Sequence, residues 1–238
     1  MGILAQMASM KWEATMMKLH IFSTDVFGSM LRRAGVKAIF GLVRHNIFVE
    51  RREKQLASMS EEQRKELAES HDKNLLRLKR ARKPVFSDGD IFVLSPVEGM
   101  YLYGRILQAK INNPDDDWMS EGMLVFIFKT KSRDKSPDNF KLDYGNVLIG
   151  PEVVPRQYWT CGFFETVGNI PLTQEEKKLD YGFFNWDLDR EIGCFMKPSG
   201  KIILHEPKFL EQYGICTLSG IYSEIIFKSI LDPELLQF

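Results

Sequence analysis

Residues 87–107 read SDGDIFVLSPVEGMYLYGRIL, and the rest of the chain is organised around them. Two apolar runs, 91–94 and 100–107, flank Pro96 and Gly99. Pro96 presets φ and Gly99 takes φ > 0 without steric cost, so the segment between the runs is a turn. Loops of this length that hold Gly commonly join hairpin strands. In the second run Tyr101, Tyr103 and Arg105 fall on one face, and Met100, Leu102, Gly104 and Ile106 on the other. That period of two marks a half-buried strand. Gly104 inside it signals a bulge or a close backbone approach.

Outward from the hairpin, the chain changes character at Pro84. Before it, residues 1–84 hold 17 Lys/Arg and 9 Asp/Glu; after it, residues 85–238 hold 15 and 23. The neutral total therefore hides a basic first third and an acidic remainder, and the division expected is 1–84 and 85–238. Residues 1–22 are Met-rich and aperiodic; Met10, Met16 and Met17 can each serve as a start, so this segment need not belong to the natural chain. From Thr24 or Asp25 a capped helix is expected, with Phe27, Met30, Leu31, Ala34, Ala38 and Ile39 at steps of three and four. Arg32, Arg33, Lys37 and Arg44 make it basic, which suits either a docked helix with a solvated face or a surface for membrane or nucleic acid spanning 26–54. A second helix is expected over 60–83. Ser60 and Gln63 form a capping box, Leu67, His71, Leu75 and Leu78 a thin stripe, and Lys79–Lys83 complement the negative helix end before Pro84.

Beyond the hairpin, residues 123–128 (MLVFIF) are apolar at every position, as in a strand covered on both faces. Further strands are expected at 147–149, at 158–165 with Trp159, Cys161 and Phe163 on one side, and at 192–196 and 201–204 around the Lys197-Pro198-Ser199-Gly200 turn. Residues 171–182 suggest a short helical stretch. Ser219 caps a helix over 221–231, ended by Asp232-Pro233. The fold class expected is α+β. A twisted, mainly antiparallel sheet, open or closed into a barrel-like form, occupies about residues 85–205; a C-terminal helix packs on it and a helical segment precedes it.

The residues point away from catalysis. His20, His45, His71 and His205 are dispersed, and the chain has no GxSxG elbow, no HExxH and no Walker loop. Cys161, Cys194 and Cys216 lie far apart without metal-ligand spacing, which reads as buried free thiols in a reducing compartment. Asp115-Asp116-Asp117 lacks the spaced ligands of a calcium loop. No catalytic residue, metal or cofactor is therefore expected. No apolar run reaches the length of a membrane span and no secretory signal is evident, so the expected setting is the cytoplasm.

The pattern Gly89-Asp90-Ile91-Phe92 with Tyr103-Gly104-Arg105, approached through ARKPVF, resembles the opening hairpin of the immunity protein 26 family. The resemblance extends over about residues 82–231 and takes in the runs 123–128 and 159–164. It implies a protein of bacterial polymorphic toxin systems that binds and neutralises a cognate toxin. It supplies no catalytic residues. A phosphotriesterase-like label attached to some members implies a hydrolase as the alternative; that chemistry needs a His and carboxylate cluster to activate water, which four scattered histidines do not provide.

A docking surface is expected at the acidic loops: Asp115, Asp116, Asp117 and Trp118 in one, and Trp186, Asp187, Asp189 and Glu191 in the other. Clustered carboxylates steer a cationic partner, such as a basic nuclease, and an adjacent Trp supplies a desolvated anchor. The same carboxylates repel nucleic acid from this part of the chain.

Overall fold

The computed structural model describes residues 42–238. In chain order these form β1 (Leu42–Val43), α1 (Ile47–Ala57), α2 (Glu61–Ser70), β2 (Asp90–Leu94), β3 (Tyr101–Gln108), α3 (Asp117–Ser120), β4 (Gly122–Ser132), β5 (Val147–Pro155), α4 (Gln157–Thr160) and β6 (Phe164–Asn169), followed by β7 (Tyr181–Asp187), β8 (Ile192–Met196), β9 (Ile202–Ile203), β10 (Phe209–Gln212) and α5 (Gly220–Leu231). The architecture is α+β with a C-terminal helix. The strands form two five-stranded sheets, and neither closes into a barrel. The helix expected from Thr24, with Phe27 to Ile39, lies outside the described residues.

The first sheet has the order β5-β4-β3-β2-β6 and is antiparallel throughout. Its heart is the β2–β3 hairpin, paired in register with Ile91 opposite Arg105 and Leu94 opposite Leu102. The six residues of 123–128 alternate strictly between two cores. Met123, Val125 and Ile127 join Phe92, Leu94, Leu102 and Ile106 and meet Ile221 and Ile225 of α5. Leu124, Phe126 and Phe128 join Ile91, Val93 and Tyr103 and meet Phe183 of β7, with Tyr181 and Phe209 alongside. The sheet is thus covered by α5 on one face and by the second sheet on the other, which is why the run needs no polar position. The same covering corrects the reading of β3 as half-buried. Its period of two is real, but Leu102 through Leu107 are all buried.

The second sheet runs β1-β8-β7-β10, with β9 sharing the β1 edge of β8. The Lys197–Gly200 turn forms as its composition dictates: the Gly200 amide donates to Lys197 O (3.0 Å), and the Lys197 amide to Lys201 O (2.8 Å). The parallel addition of β10 to β7 has no local signal and follows from the long return through 204–208.

Two expected elements differ. The second helix starts as expected, with the Ser60 side chain accepting from the Gln63 amide and Gln63 Oε1 accepting from the Ser60 amide. It ends at Ser70, however, and residues after it run extended. The Leu76, Leu78 and Ala81 amides donate to Ser95 O, Gly162 O and Trp159 O, and Leu75 is buried in the first core. Three backbone bonds and a buried leucine outweigh the thin helical stripe, so the cations at 79–83 do not complement a helix end. The segment at 158–165 is the short helix α4 and a turn before β6 begins at Phe164. Trp159 is nevertheless core: its ring meets Phe86, Phe92 and Phe164 edge-on, and its Nε1 donates to Thr166 Oγ1 (3.0 Å).

Gly104 lies where Phe92 crosses β3. A Cβ there would meet Phe92 Cζ at 2.1 Å, and the β3–β4 register shifts beside it. Phe92 cannot yield, because it is stacked on Phe164 (4.5 Å between centroids) and held by Trp159 (5.3 Å). Gly104→Ala is expected to destabilise the protein by about 1–3 kcal/mol, the usual range for overpacking a core. The change would appear as a lower denaturation midpoint at unchanged slope.

Candidate partner-binding surface

The side chain of Arg105 points out of β3 into a fully buried site. Its Nε donates to Glu176 Oε1 (2.5 Å) and its Nη2 to Glu176 Oε2 (3.1 Å), a bidentate pair. The remaining donors reach the backbone: Nη1 to Gly89 O (3.1 Å), Nη2 to Ile170 O (2.8 Å) and more weakly to Pro171 O (3.4 Å). Glu176 sits in a short 3-10 turn, Glu176–Lys178. It also accepts from the Thr173 amide (2.8 Å) and from the Tyr144 hydroxyl (3.0 Å). Burial opposes ionisation of this carboxyl, but the Arg105 and Thr173 hydrogen bonds outweigh it and hold the pKa below the usual range. Burial, reinforced by the Glu176 charge, pushes the Tyr144 phenol well up.

The network ties the loop before β2 to the loop after β6. Gly89 allows the contact: it holds φ +87°, and a Cβ there would meet Ile170 O at 2.2 Å. Between these loops lies an open groove of about 470 Å³, lined by Asp88, Asp90, Asn169, Pro171, Leu172 and Lys177 among others. Asp90 is buried; its Oδ2 accepts from the Ser87 amide (2.9 Å) and its Oδ1 from Asn169 Nδ2 (2.7 Å). Asp88 is exposed and accepts from the Ala109 amide through Oδ1 (2.8 Å). Neither the network nor the groove follows from reading the sequence alone. The available signal was an Asp-Gly-Asp turn followed, one strand later, by an arginine in an otherwise apolar run.

The expected acidic loops divide by what their carboxylates do. Asp116 is the N-cap of α3, accepting from the Met119 amide (3.1 Å), and its Oδ2 accepts from the Tyr213 hydroxyl (3.0 Å). Asp187 is buried; its Oδ1 accepts from the Asp189 and Arg190 amides, and its Oδ2 pairs with Arg190 Nη1 (2.7 Å). These two shape turns. Asp117, Asp189 and Glu191 are exposed, Asp115 partly so. Trp118 is 62% exposed, whereas Trp186 is half-buried and stacks on Phe184 (6.1 Å, 28°). The two loops lie at opposite ends of β8. Residues 187–191 lead into that strand; the 113–118 loop is tied past its far end, where Asn113 Nδ2 donates to Pro198 O (2.9 Å) and to Tyr213 Oη (2.9 Å). β8 has 5 residues, so at about 3.3 Å rise per residue its ends are roughly 13 Å apart, within one standard-sized protein interface.

A second charged cluster lies where β5, β10 and α5 meet. Glu224 pairs with Arg52 (3.0 Å) and faces Lys228 (3.6 Å). Burial, then the Glu224 charge, raises the pKa of Glu211 to about 7; burial, then Glu211, raises that of Glu152. The cysteines are free thiols. Cys194 is buried, and burial pushes its pKa up to about 12; Cys161 and Cys216 are only partly covered. His205, exposed, pairs with Asp180 (3.0 Å). Among the described residues no group of three or more His, Cys, Asp or Glu side chains is arranged to hold a metal ion, and no helix is long and apolar enough to cross a membrane.

Fold and surface together define a two-sheet α+β protein that carries charged loops. Residues 87–191 match the model of the family described as Immunity protein 26, which supports the resemblance carried by the hairpin. The match spans the Arg105 network, the groove and both acidic loops. Comparison with curated proteins and with solved structures found no match.

Two predictions follow from this geometry. Arg105→Met takes the compensating cation from the buried Glu176 carboxylate and one donor from each of the Gly89, Ile170 and Pro171 carbonyls, and is expected to cost about 3–5 kcal/mol in chemical denaturation. Glu211 keeps its proton to about pH 7 in the folded protein but releases it near the ordinary value of 4.5 when unfolded. Its contribution is therefore full below that lower value and is lost as pH rises towards 7. Glu211→Gln should raise the melting temperature more at pH 8 than at pH 5; an equal shift at both values would contradict the assignment.

Proposed function

We propose that the chain is a cytoplasmic immunity protein that binds a cognate bacterial toxin and neutralises it by covering part of its surface. The family match over residues 87–191 carries this reading. The partner-facing unit is the acidic part, 85–238, and residues 1–84 form a basic segment preceding it. The net charge of the acidic part supports a cationic toxin such as a basic nuclease, since complementary fields raise association rates. Within the acidic loops, the exposed residues Asp117, Trp118, Asp189 and Glu191, with the partly exposed Asp115, make the contact. Asp116 and Asp187 act indirectly, by fixing the turns, and Trp186 supports the second loop from its stack on Phe184.

The test pairs the full chain with the product of a large open reading frame beside its gene. The expected result is a stoichiometric complex and relief of that product's toxicity on co-expression. Absence of binding and of relief, together with stoichiometric metal and phosphotriester turnover by the purified protein, would overturn the proposal in favour of a hydrolase. Within the complex, Asp117→Lys with Asp189→Lys should slow association and flatten its salt dependence. Trp118→Ala should instead speed dissociation, by about 2 kcal/mol for an anchoring aromatic. Surface plasmon resonance across a salt series, with melting curves of the free variants, reads both.

A further inference from the structure

The groove between the β2 and β6 loops is the part of the molecule that the family motif builds and that the acidic-loop reading leaves unused. Asp90 of the motif lines it, and Arg105 of the motif holds the two loops that flank it through Gly89 O and Ile170 O. A buried ion pair that consumes so many donors produces a rigid cradle, and rigid cradles bind without an ordering cost. The lining has more acceptors than donors. Asp88 uses Oδ1 for the Ala109 amide, and Asn169 uses its amide NH2 for Asp88 O (3.2 Å) and Asp90 Oδ1. Asp88 Oδ2 and Asn169 Oδ1 are then available beside the second carboxylate, against one ammonium, Lys177. The apolar part of the lining is Pro171 and Leu172. Carboxylate and amide acceptors beside Pro171 and Leu172 match a side chain with a planar cationic head and an aliphatic stem.

We propose that this groove receives an arginine side chain of the protein partner; the proposal rests on the toxin-binding reading. The guanidinium lies between Asp88 and Asn169, and its stem lies on Pro171 and Leu172. Lys177 opposes the incoming charge and sets a limit on affinity.

The probe is N-acetyl-arginine amide, with the neutral isostere N-acetyl-citrulline amide as control, titrated into the full isotope-labelled chain and followed by amide chemical shifts. Shifts should concentrate at residues 87–90 and 169–177 for arginine and be absent for citrulline. Asp88→Asn keeps an acceptor for the Ala109 amide and should weaken the arginine response several-fold, whereas Lys177→Gln should strengthen it. Loss of local structure cannot produce opposite signs at two exposed positions. Equal response to both probes, shifts confined to 115–118 and 187–191, or no response overturns the proposal. If arginine binds as stated but Asp88→Asn leaves toxin association and dissociation unchanged, the partner's arginine is not the occupant and the proposal falls while the toxin reading stands. If arginine binds and the toxin candidate does not, the toxin reading falls and the groove remains a receptor for arginine.

Discussion

A guanidinium inside a protein must find its hydrogen bonds there, and Arg105 finds them by gathering pieces that are distant in the chain. Its partner carboxylate is 71 residues away and its carbonyl partners belong to two different loops. Desolvating such a pair is expensive, and a well-packed apolar replacement is often no less stable. What the ion pair contributes is position. It fixes the loop before β2 against the loop after β6, and it anchors the turn carrying Glu176, from which the chain enters the second sheet at Tyr181.

That placement has consequences for the layers. β3 is the central strand of the first sheet, with β2 and β4 as its neighbours. Its two faces serve different partners, Leu102 and Ile106 the α5 side and Tyr103 and Leu107 the side of the second sheet. Arg105 lies on the latter face, between Tyr103 and Leu107. A charge there is tolerated because Arg105 meets Glu176 directly, and Tyr144, its ring packed edge-on against Phe126 and Phe128, donates its hydroxyl to the same carboxylate. The buried network is fully satisfied, the condition under which a polar interior group specifies one arrangement rather than many.

The hairpin, the capping box at Ser60, the doubly covered run at 123–128 and the Lys197–Gly200 turn are local in cause, and they were legible for that reason. Each needs only residues within a few positions of one another. The errors share the opposite cause. The helix after Ser60 stops short because Leu76, Leu78 and Ala81 pair with backbone as far away as Gly162, which no periodicity reports. The 158–160 stretch alternates like a strand but turns as a helix to lay Trp159 across Phe92. The period of two in β3, with Tyr101, Tyr103 and Arg105 on one face, reads as half-buried, whereas Arg105 is fully buried. Its burial depends on Glu176, and a single sequence does not say which of 32 carboxylates an arginine meets.

The same distinction separates charge as counted from charge as available. Asp116 and Asp187 contribute to the acidic total, yet each is engaged by amides and by a donor side chain, and Asp187 is withdrawn from solvent. A carboxylate so held still adds to the long-range field, since hydrogen bonds do not neutralise it, but it cannot form a close contact without breaking its turn. Steering and contact therefore fall to different residues of the same loop. The capping carboxylates give the loop its shape and part of its potential, while Asp117, Asp189 and the exposed Trp118 ring are what another surface can touch. The groove repeats the division within a smaller space: Asp90 holds the walls together, and Asp88 faces outward. In both places the structural carboxylate makes the exposed one effective by fixing where it stands, which gives a short-range ionic contact its geometry.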